Sequence, residues 1–446
     1  MRNGPSSPEL WGGVECTVNR VGDEFFDQLE FSGHDRRLDD FDRFAALGLT
    51  ALRFPVLWER TQPAPDVVPN FDFADRGIAR LAELGIEPIV GLLHHGSGPS
   101  HTSLDDPGFP EKFATFARSV ALRYPAVNRY TPINEPLTTA RFSGLYGHWY
   151  PHARADRAFV RMLVNQVRAT SLAMRAVREV NPNARLVQTE DMGYVRSTPA
   201  LRHQADFENE RRFLSFDLLS GRVDARHPLH SYLTANGASE RELAELRDQP
   251  CPPDVLGINY YVTSERYLDE RTQRYPARYR GGNGRQVYAD VEAVRACAEG
   301  LVGPARILES VYARFGTPVA VTEIHMGCSV AQQASWLNYV VREAATARDR
   351  GVPVLAVTVW ALLGAFGWDA LVTRPFGRYE PGVFELVDGV PHATPLAESV
   401  RAIARGERED VSPGWWTLPS RFYEATVTNL PRSEANPART ARIATR

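Results

Sequence analysis

The sequence predicts an α/β protein whose fold is a (β/α)8 TIM barrel with extended βα loops. Three observations lead to this prediction: strand-like apolar runs alternate with helical patterns, eight such runs occur, and several carry no polar interruption. Strands that alternate with helices form parallel sheets, and continuous apolar runs are typical of parallel strands buried on both faces. Eight such units favour a closed barrel, and the residues beyond the roughly 250 that a barrel needs then belong to loops.

The predicted strands follow from short apolar runs. The clearest is Pro-Ile-Val-Gly-Leu-Leu at 88–93, which contains no charged residue. Its length and composition are those of a strand covered on both faces. The sequence predicts strands at 10–13, 51–56, 88–93, 130–133, 185–189, 254–259, 318–322 and 354–360.

The predicted helices lie between these runs, where apolar residues recur at helical spacing. Phe41, Phe44 and Leu47 mark the first of them, and Gly48 fits its C-terminal stop. The sequence predicts helices at 39–47, 73–84, 111–124, 156–180, 207–219, 301–315, 331–350 and 395–404.

The domain organisation is predicted to be simple. The chain has 446 residues, and we expect one barrel domain over 1–430 and a disordered tail at 431–446 that is rich in arginine. The aromatic residues at 415–423 are too dense for a solvated linker and are expected to pack on the barrel. The segment 271–285 carries five arginines and no acid. It fits a solvated loop or a rim contact for an anionic group on a substrate.

Composition and charge exclude several classes of protein. The 51 basic and 54 acidic residues give a net charge of −3, which argues against a protein that binds nucleic acid. No apolar signal follows the first residues, and the uncharged stretch 352–368 is too short and too rich in glycine to span a membrane. We therefore expect a cytoplasmic protein. Four scattered cysteines without a CxxC pair argue against a disulfide scaffold or a zinc ribbon, and the sequence indicates no oligomeric state.

The candidate chemistry lies at the C-terminal ends of the strands, where barrel enzymes carry their active sites. Glu135 follows the fourth strand run and Glu323 follows the seventh, so the two carboxyl groups are expected to face each other across the barrel mouth. A pair of this kind suits cleavage of a glycosidic bond, with one group as general acid and the other as nucleophile. A separation of about 5–5.5 Å leads to retention of configuration.

Several motifs in order carry a resemblance to a known family. Glu135 lies in Thr-Pro-Ile-Asn-Glu-Pro at 131–136, and Glu323 lies in Val-Thr-Glu at 321–323. Further motifs are Trp-Gly at 11–12, the arginine-bearing strand at 52–60, Gly-Ile-Asn-Tyr-Tyr at 257–261, the tryptophan-rich segment 359–368, and Phe-Gly at 376–377. Over about residues 9–405 the chain resembles glycoside hydrolase family 1, the β-glucosidase family of retaining barrel hydrolases.

The resemblance implies roles for individual residues. Glu135 is expected to be the general acid/base, with a raised pKa, and Glu323 the nucleophile, with a low pKa. No cofactor and no metal are implied, and the expected partner is a small-molecule glycoside. The residues expected to bind substrate are Asn19, Arg53, His94, Asn134, Asn259, Tyr261, Trp360 and Trp368.

The sequence also departs from the family pattern in the residues that read the sugar. Asn19 stands where the family has a glutamine, and His95 stands where it has a tryptophan. Ile324 and His325 replace an Asn-Gly pair, and Gly367 replaces a glutamate that binds the 4- and 6-hydroxyls. Because buried hydroxyls that lose a charged acceptor are penalised, we expect a deoxy, amino or otherwise modified sugar. The serine-lysine pair of phospho-specific relatives is not evident after Trp368.

The expected function is therefore a retaining β-glycosidase that acts by double displacement. Two other classes stay open from the sequence. A transglycosidase keeps both glutamates and favours an acceptor other than water. A non-catalytic sugar-binding or regulatory barrel fits the replacement of several residues that bind the sugar in the family. Glu190 and Asp191, after the fifth run, are either substrate contacts or a polar strand end.

Overall fold

A computed structural model of the protein describes residues 8–407 and 412–423. Eight parallel strands of this part of the chain close into a barrel in sequence order, and β8 pairs with β1 to complete the ring. The strands are β1 (Glu9–Gly13), β2 (Ala51–Pro55), β3 (Glu87–His94), β4 (Arg129–Asn134), β5 (Arg185–Asp191), β6 (Val255–Tyr260), β7 (Val319–Ile324) and β8 (Val354–Val359). The predicted (β/α)8 barrel is confirmed.

Helices pack around the outside of the ring, because each strand connects to the next parallel strand by a crossover. The helices between or after the barrel strands are α1 (Asp40–Ala45), α2 (Asp72–Leu84), α3 (Phe109–Arg123), α4 (Asp156–Val180), α5 (Leu214–Leu219), α6 (Pro304–Phe315), α7 (Val330–Asp349) and α8 (Leu396–Ala404). Further helices in the loops span Gln28–Ser32, Trp58–Thr61, Pro136–Ala140, Arg202–Arg211, His230–Ala235, Glu240–Asp248 and Ala293–Ala296.

Two predicted helices differ from the observed ones. The predicted helix 207–219 is two helices, Arg202–Arg211 and α5, separated by Arg212 and Phe213. The first is largely polar and partly exposed, whereas every residue of α5 is buried, so the two segments pack differently. The helix predicted from 301 begins at Pro304 instead. Gly303 precedes it with a φ of +91°, and proline is favoured in the first helical turn.

The βα loops form small sheets of their own above the barrel. Four strands, Val195–Ser197, Arg266–Asp269, Arg280–Gly282 and Val287–Glu292, make the largest of them. Two-stranded sheets pair Val18–Val21 with Glu24–Asp27, Ala365–Phe366 with Tyr379–Glu380, and Phe384–Val387 with Val390–Ala393.

The arginine-rich segment 271–285 belongs to the four-stranded loop sheet. It contributes the strand Arg280–Gly282, and Arg271 donates to Asp269 Oδ1 at 2.8 Å. Part of this segment is therefore ordered by pairing within the protein. The alternative of a rim contact for an anion stays a prediction.

The C-terminal aromatic residues pack on the barrel as predicted. Trp416 is buried, and its ring meets the ring of Trp336 on α7 edge to face at 5.0 Å. The predicted tail 431–446 lies outside the described residues, so the domain limits stay predictions. Within the described part, no helix is both long and apolar enough to cross a bilayer.

Candidate active site

The two predicted catalytic glutamates lie at the C-terminal mouth of the barrel. Glu135 directly follows β4 and has a left-handed φ of +47°, which turns the chain sharply into the helix Pro136–Ala140. Glu323 lies inside β7, next to its last residue. Glu135 is only 4% exposed and Glu323 only 2%, so both carboxyl groups have lost most of their water.

Arg53 of β2 connects the two strands that carry these glutamates. Its Nη1 donates to Glu323 Oε1 at 2.6 Å and to the carbonyl oxygen of Thr322 at 3.0 Å. Its Nη2 donates to Asn134 Oδ1 at 2.6 Å. The planar guanidinium suits this task because its donors form a rigid fork. Arg53 therefore fixes Glu323 relative to the residue that precedes Glu135.

Asn134 is oriented by three donors to one oxygen. In addition to Arg53, Thr189 Oγ1 donates to Asn134 Oδ1 at 2.7 Å and Asn259 Nδ2 approaches it at 3.4 Å. The amide group Nδ2 then faces the other way, 3.2 Å from Nε2 of His94. An amide NH2 carries two donors, so Asn134 presents a donor group toward the histidine side of the mouth.

Asn259 at the end of β6 connects Glu135 to the nucleophile strand. Its Nδ2 donates to Glu135 Oε1 at 2.6 Å, and its Oδ1 accepts from Thr322 Oγ1 at 2.6 Å. Tyr261, two residues further along, donates its hydroxyl to Glu323 Oε2 at 2.5 Å. The sequence-predicted residues Arg53, Asn134, Asn259 and Tyr261 therefore form one hydrogen-bonded network with both glutamates.

Burial raises the pKa of Glu135 well above its ordinary value. The negative charges of Glu323, Asp191 and Glu190 raise this pKa further, while the hydrogen bond from Asn259 opposes the shift. The direction agrees with the expectation for a general acid. It follows from placing a carboxyl group in a site with several acids and little water.

Burial also raises the pKa of Glu323, to about 7, although Arg53 and Tyr261 oppose the shift. The low pKa expected from the sequence is therefore wrong for this site, because desolvation outweighs one guanidinium and one hydroxyl group. The relative order still distinguishes the two carboxyl groups. Glu323 has the Arg53 cation in contact, and no charged cation of the described residues pairs with Glu135, so Glu323 loses its proton first.

Both histidines at the end of β3 are neutral at physiological pH. Burial lowers the pKa of His94 well below its usual range and that of His95 to about 3. His95 Nδ1 lies 3.0 Å from Thr139 Oγ1, and its Nε2 lies 3.9 Å from Glu135 Oε2. A neutral His95 places no positive charge beside Glu135, which leaves the raised pKa of Glu135 intact.

Trp360 lies against the Arg53 network. Its ring stacks on His94 with centroids 5.3 Å apart and an interplanar angle of 9°, and the Arg53 guanidinium lies 4.5 Å from its centroid. Its indole Nε1 approaches Glu15 Oε2 at 3.4 Å. Trp360 and His94 thus join the site where the sequence placed them.

Asn19 and Trp368 lie further from the carboxyl groups. Asn19 Nδ2 donates to the carbonyl oxygen of Val372 at 2.9 Å, in the loop that also carries Trp368. The ring of Trp368 meets the ring of His95 at 5.7 Å. The structure therefore connects these two residues to the site through the loop after β8, and the contacts described here are not to either glutamate.

The backbone explains why position 367 carries no side chain. Gly367 has a φ of +73°, a conformation that glycine adopts without steric cost. A Cβ there would meet Gly377 at 3.5 Å, and a Cβ on Gly377 would come within 2.2 Å of the Gly367 Cα. The two glycines pack directly against each other, so this loop offers no acceptor from position 367.

Sequence reasoning missed Glu15 and left Glu190 and Asp191 undecided. Glu190 accepts from the backbone N–H groups of Leu137 and Thr138, so it holds the helix that follows Glu135. Asp191 accepts from Ser264 and adds a negative charge near Glu135. Glu15 follows β1 by two residues, and the strand-end rule applied to the first strand would have found it.

Comparison with known proteins identifies the family. The model of glycosyl hydrolase family 1 matches residues 29–379. The chain belongs to this family. The resemblance inferred from the motifs is confirmed, and membership makes the chain a glycoside hydrolase.

Several family members of known name are similar over most of their length. A bifunctional β-D-glucosidase/β-D-fucosidase of Bifidobacterium breve is 26% identical over 418 residues, which is 84% of this chain and 88% of that protein. A 6-phospho-β-glucosidase of Dickeya chrysanthemi is 24% identical, over 78% of this chain and 79% of that protein. β-Glucosidase A of Thermotoga maritima is 24% identical, over 82% of this chain and 86% of that protein.

Solved structures of family 1 enzymes share the fold. The β-glucosidase of Thermotoga maritima in complex with deoxynojirimycin aligns with a TM-score of 0.73 at 18% identity. The alignment covers 92% of this chain and 100% of that chain. At this level of identity the likeness establishes the barrel architecture.

Proposed function

We propose that this glycoside hydrolase is a retaining β-glycosidase that acts by double displacement, with Glu323 as nucleophile and Glu135 as general acid/base. One observation carries the proposal. Arg53 and Tyr261 each contact one oxygen of Glu323, whereas within residues 8–407 and 412–423 the side chain of Glu135 accepts only from the neutral amide of Asn259. A general acid and a nucleophile need different pKa values, and different electrostatic surroundings give two carboxyl groups different pKa values.

In the first step, ionised Glu323 attacks the anomeric carbon, and Glu135 gives its proton to the departing oxygen. The bond to the aglycone breaks, and a covalent glycosyl-enzyme forms at Glu323. Arg53 and Tyr261 orient the attacking carboxylate. Because both donors are already in place, little reorganisation is needed as the bond forms.

In the second step, Glu135 acts as a base and takes a proton from water. The water oxygen attacks the anomeric carbon and releases Glu323 as a carboxylate, which restores the starting state with net retention. The loss of the negative charge on Glu323 in the intermediate lowers the pKa of Glu135, since that charge raises it in the free enzyme. The same residue can therefore serve as acid and then as base.

Asn134 is proposed to donate to the sugar 2-hydroxyl through Nδ2. Its Oδ1 is already occupied by Arg53 and Thr189. The amide NH2 lies 3.2 Å from His94 Nε2 and 3.4 Å from His95 Nε2, and a sugar hydroxyl would compete with these ring nitrogens for its two donors. Hydrogen bonds to the 2-hydroxyl strengthen in the transition state of glycoside hydrolysis. Trp360, His94 and Asn259 are proposed to line the sugar site, with Asn19 and Trp368 at its outer edge.

The glycone is proposed to be a modified or deoxy sugar. Gly367 supplies no side chain, and its φ of +73° is a conformation that other residues rarely adopt. The Bifidobacterium breve relative is named for both glucosides and fucosides, and fucose is a 6-deoxy hexose. A sugar without an ordinary 6-hydroxyl is compatible with a site that lacks an acceptor at 367.

We also propose that the enzyme works in the cytoplasm and without a cofactor. The chemistry described uses side chains alone. Cys16, Cys251, Cys297 and Cys328 are all free thiols, which is the state that a reducing compartment maintains.

Chemical rescue tests the two catalytic roles. Glu135→Ala and Glu323→Ala are each expected to lower kcat/KM on a nitrophenyl β-glycoside by at least about 1,000-fold. Azide should restore turnover in both, with a β-glycosyl azide from Glu135→Ala and an α-glycosyl azide from Glu323→Ala. Glu59→Gln is the control, because Glu59 is a buried carboxyl group bonded to the Gly98 N–H, outside this network. Unchanged turnover in either alanine variant would refute the assignment.

A further inference from the structure

Glu15 is a buried carboxyl group at the barrel mouth to which the proposed reaction gives no role. It lies two residues after β1 and is 5% exposed. Its Oε1 accepts from the backbone N–H of Thr17 at 3.0 Å, and its Oε2 accepts from Trp360 Nε1 at 3.4 Å. The second contact is longer than a typical N–H···O bond.

Several other buried carboxyl groups of the described chain have more donors than Glu15 or a cationic partner, whereas Glu59 and Glu135 accept one hydrogen bond each. Glu190 accepts from two backbone N–H groups and the hydroxyl of Thr138. Glu265 accepts from a tyrosine hydroxyl and two backbone N–H groups, and Glu323 has Arg53. Among the described residues, no arginine, lysine or histidine forms an ion pair with Glu15. Burial of a carboxylate without a cationic partner is costly, so a positively charged donor on a ligand would gain a strong interaction there.

Further buried polar atoms on the same segment also lack partners. Thr17 Oγ1 and Asn19 Oδ1 are both buried and accept or donate no hydrogen bond within the described part of the chain. Two unpartnered oxygens, on Thr17 and Asn19, therefore lie within four residues of Glu15 along the chain. Each can accept a hydrogen bond, which fits a ligand rich in donors.

The position of Glu15 relative to the reacting groups is also informative. Glu15 contacts the indole of Trp360 rather than either glutamate of the catalytic pair. Its negative charge is nevertheless close enough to contribute to the raised pKa of Glu323, after burial. Glu15 therefore lies at the sugar site but away from the pair that brackets the anomeric carbon.

We propose that Glu15 is a specificity residue that pairs with a protonated amine on the glycone, at a ring or exocyclic carbon other than the anomeric one. This deepens the proposed function and rests on it. The substrate class is then an amino-deoxy glycoside. An ammonium group brings both the missing positive charge and up to three donors to Glu15 and its neighbours.

The test compares amino and hydroxyl sugars in one enzyme. We would measure kcat/KM on nitrophenyl β-glucoside and on its 3-, 4- and 6-amino-deoxy analogues, with N-acetylated forms as neutral controls. The wild type is expected to prefer one free amine over its hydroxyl parent by about 10- to 100-fold, the range of a charged hydrogen bond. The N-acetyl form should lose that preference.

Glu15→Gln then isolates the charge, because the amide keeps an oxygen that can accept from Trp360. In this variant the ratio of kcat/KM for the amine substrate to kcat/KM for the hydroxyl substrate should fall to about 1. Glu59→Gln should keep the wild-type ratio. Any altered reactivity of Glu323 affects both substrates and cancels in the ratio. A wild-type ratio in Glu15→Gln would assign Glu15 only to positioning Trp360 and overturn the proposal, as would a wild type that disfavours every amine.

Binding separates this proposal from the proposed reaction. Methyl 1-thio-β-glycosides with and without the amine resist hydrolysis, and titration calorimetry gives their Kd without turnover. If the wild type cleaves no glycoside, the proposed function fails, while the affinities still decide the role of Glu15. Equal affinity for amine and hydroxyl thioglycosides at every position would overturn the role of Glu15 alone.

Discussion

The guanidinium of Arg53 lies 2.6 Å from Glu323 Oε1 and joins this carboxyl group to the strand that ends beside Glu135. The second nitrogen of Arg53 reaches Asn134 Oδ1, also at 2.6 Å. A single side chain therefore sets the position of the proposed nucleophile relative to the proposed acid. This arrangement makes the site sensitive to the shape of the cation as well as to its charge.

Arg53→Lys tests the geometry of this cation. A lysine keeps the charge but has no planar fork, so it cannot hold Glu323 and Asn134 at the same time. We expect kcat/KM to fall by about 100- to 1,000-fold, because Glu323 or Asn134 loses a buried hydrogen bond to a charged donor and the catalytic pair is no longer held in position. The control is Arg80→Lys, a partly exposed arginine that pairs with Asp42 and Glu83 outside the site. Activity within about threefold of the wild type would show that the fork is not needed.

The pH profile tests the hydrogen bond from Tyr261. Glu323 must be ionised and Glu135 protonated, so activity should rise as pH increases through about 7 and fall at higher pH. Tyr261→Phe removes a donor that lowers the pKa of Glu323, so the acidic limb should move upward by about one pH unit. The measurement is kcat/KM against pH, with the exposed Tyr194→Phe as control. An acidic limb that stays at the same pH or moves to lower pH would show that Tyr261 does not lower the pKa of Glu323.

The strand-end rule explains how much of the site the sequence could predict. Arg53, His94, Asn134, Glu135 and Glu323 each lie at or near the end of a barrel strand, so fold and motif together place them in one mouth. Their hydrogen bonds follow from that placement. Locating the strands in the sequence was sufficient to find these residues, because a parallel barrel carries its active site at the C-terminal ends of its strands.

Other features depend on contacts that a linear pattern does not contain. The pKa of Glu323 depends on how much water the folded mouth excludes, which local sequence cannot report. The strand-end rule can place Glu15 at the barrel mouth, but its contact with Trp360, 345 residues away, is seen only in the folded structure. The break at Arg212 also follows from packing, because the polar and fully buried helices on either side meet different surroundings.

Asn134→Ala tests the proposed contact to the sugar 2-hydroxyl. The change removes the Nδ2 donor and leaves Arg53 Nη2 and Thr189 Oγ1 without their acceptor. Every substrate should lose activity through the second effect, but only a 2-hydroxy sugar loses the donor as well. We expect the variant to penalise a 2-hydroxy glycoside about 10- to 100-fold more than its 2-deoxy analogue. Equal losses on both sugars would assign Asn134 only to orienting Arg53.

Glu190 gives a prediction about stability. Its carboxyl group accepts from Leu137 N at 3.0 Å and from Thr138 N at 3.2 Å, so it satisfies the start of the helix after Glu135. Glu190→Ala leaves these buried donors without an acceptor and should lower the free energy of unfolding by about 2–3 kcal/mol in urea denaturation. Glu190→Gln keeps one accepting oxygen and should lose less. An alanine variant as stable as the wild type would contradict the capping role.

The pKa of Glu190 predicts how the free energy of unfolding changes with pH. Burial raises the pKa of Glu190 to about 7 in the folded protein, above the 4.5 of an ordinary glutamate. The folded state therefore binds more protons than the unfolded state in this range. The contribution of Glu190 to stability is present at low pH and is lost as pH rises from about 4.5 to 7. The glutamine in Glu190→Gln does not titrate. As pH rises from about 4.5 to 7, the unfolding free energy of the wild type should therefore fall relative to that of this variant. A difference that stays constant from pH 4.5 to 7 would show that Glu190 keeps its ordinary pKa on folding.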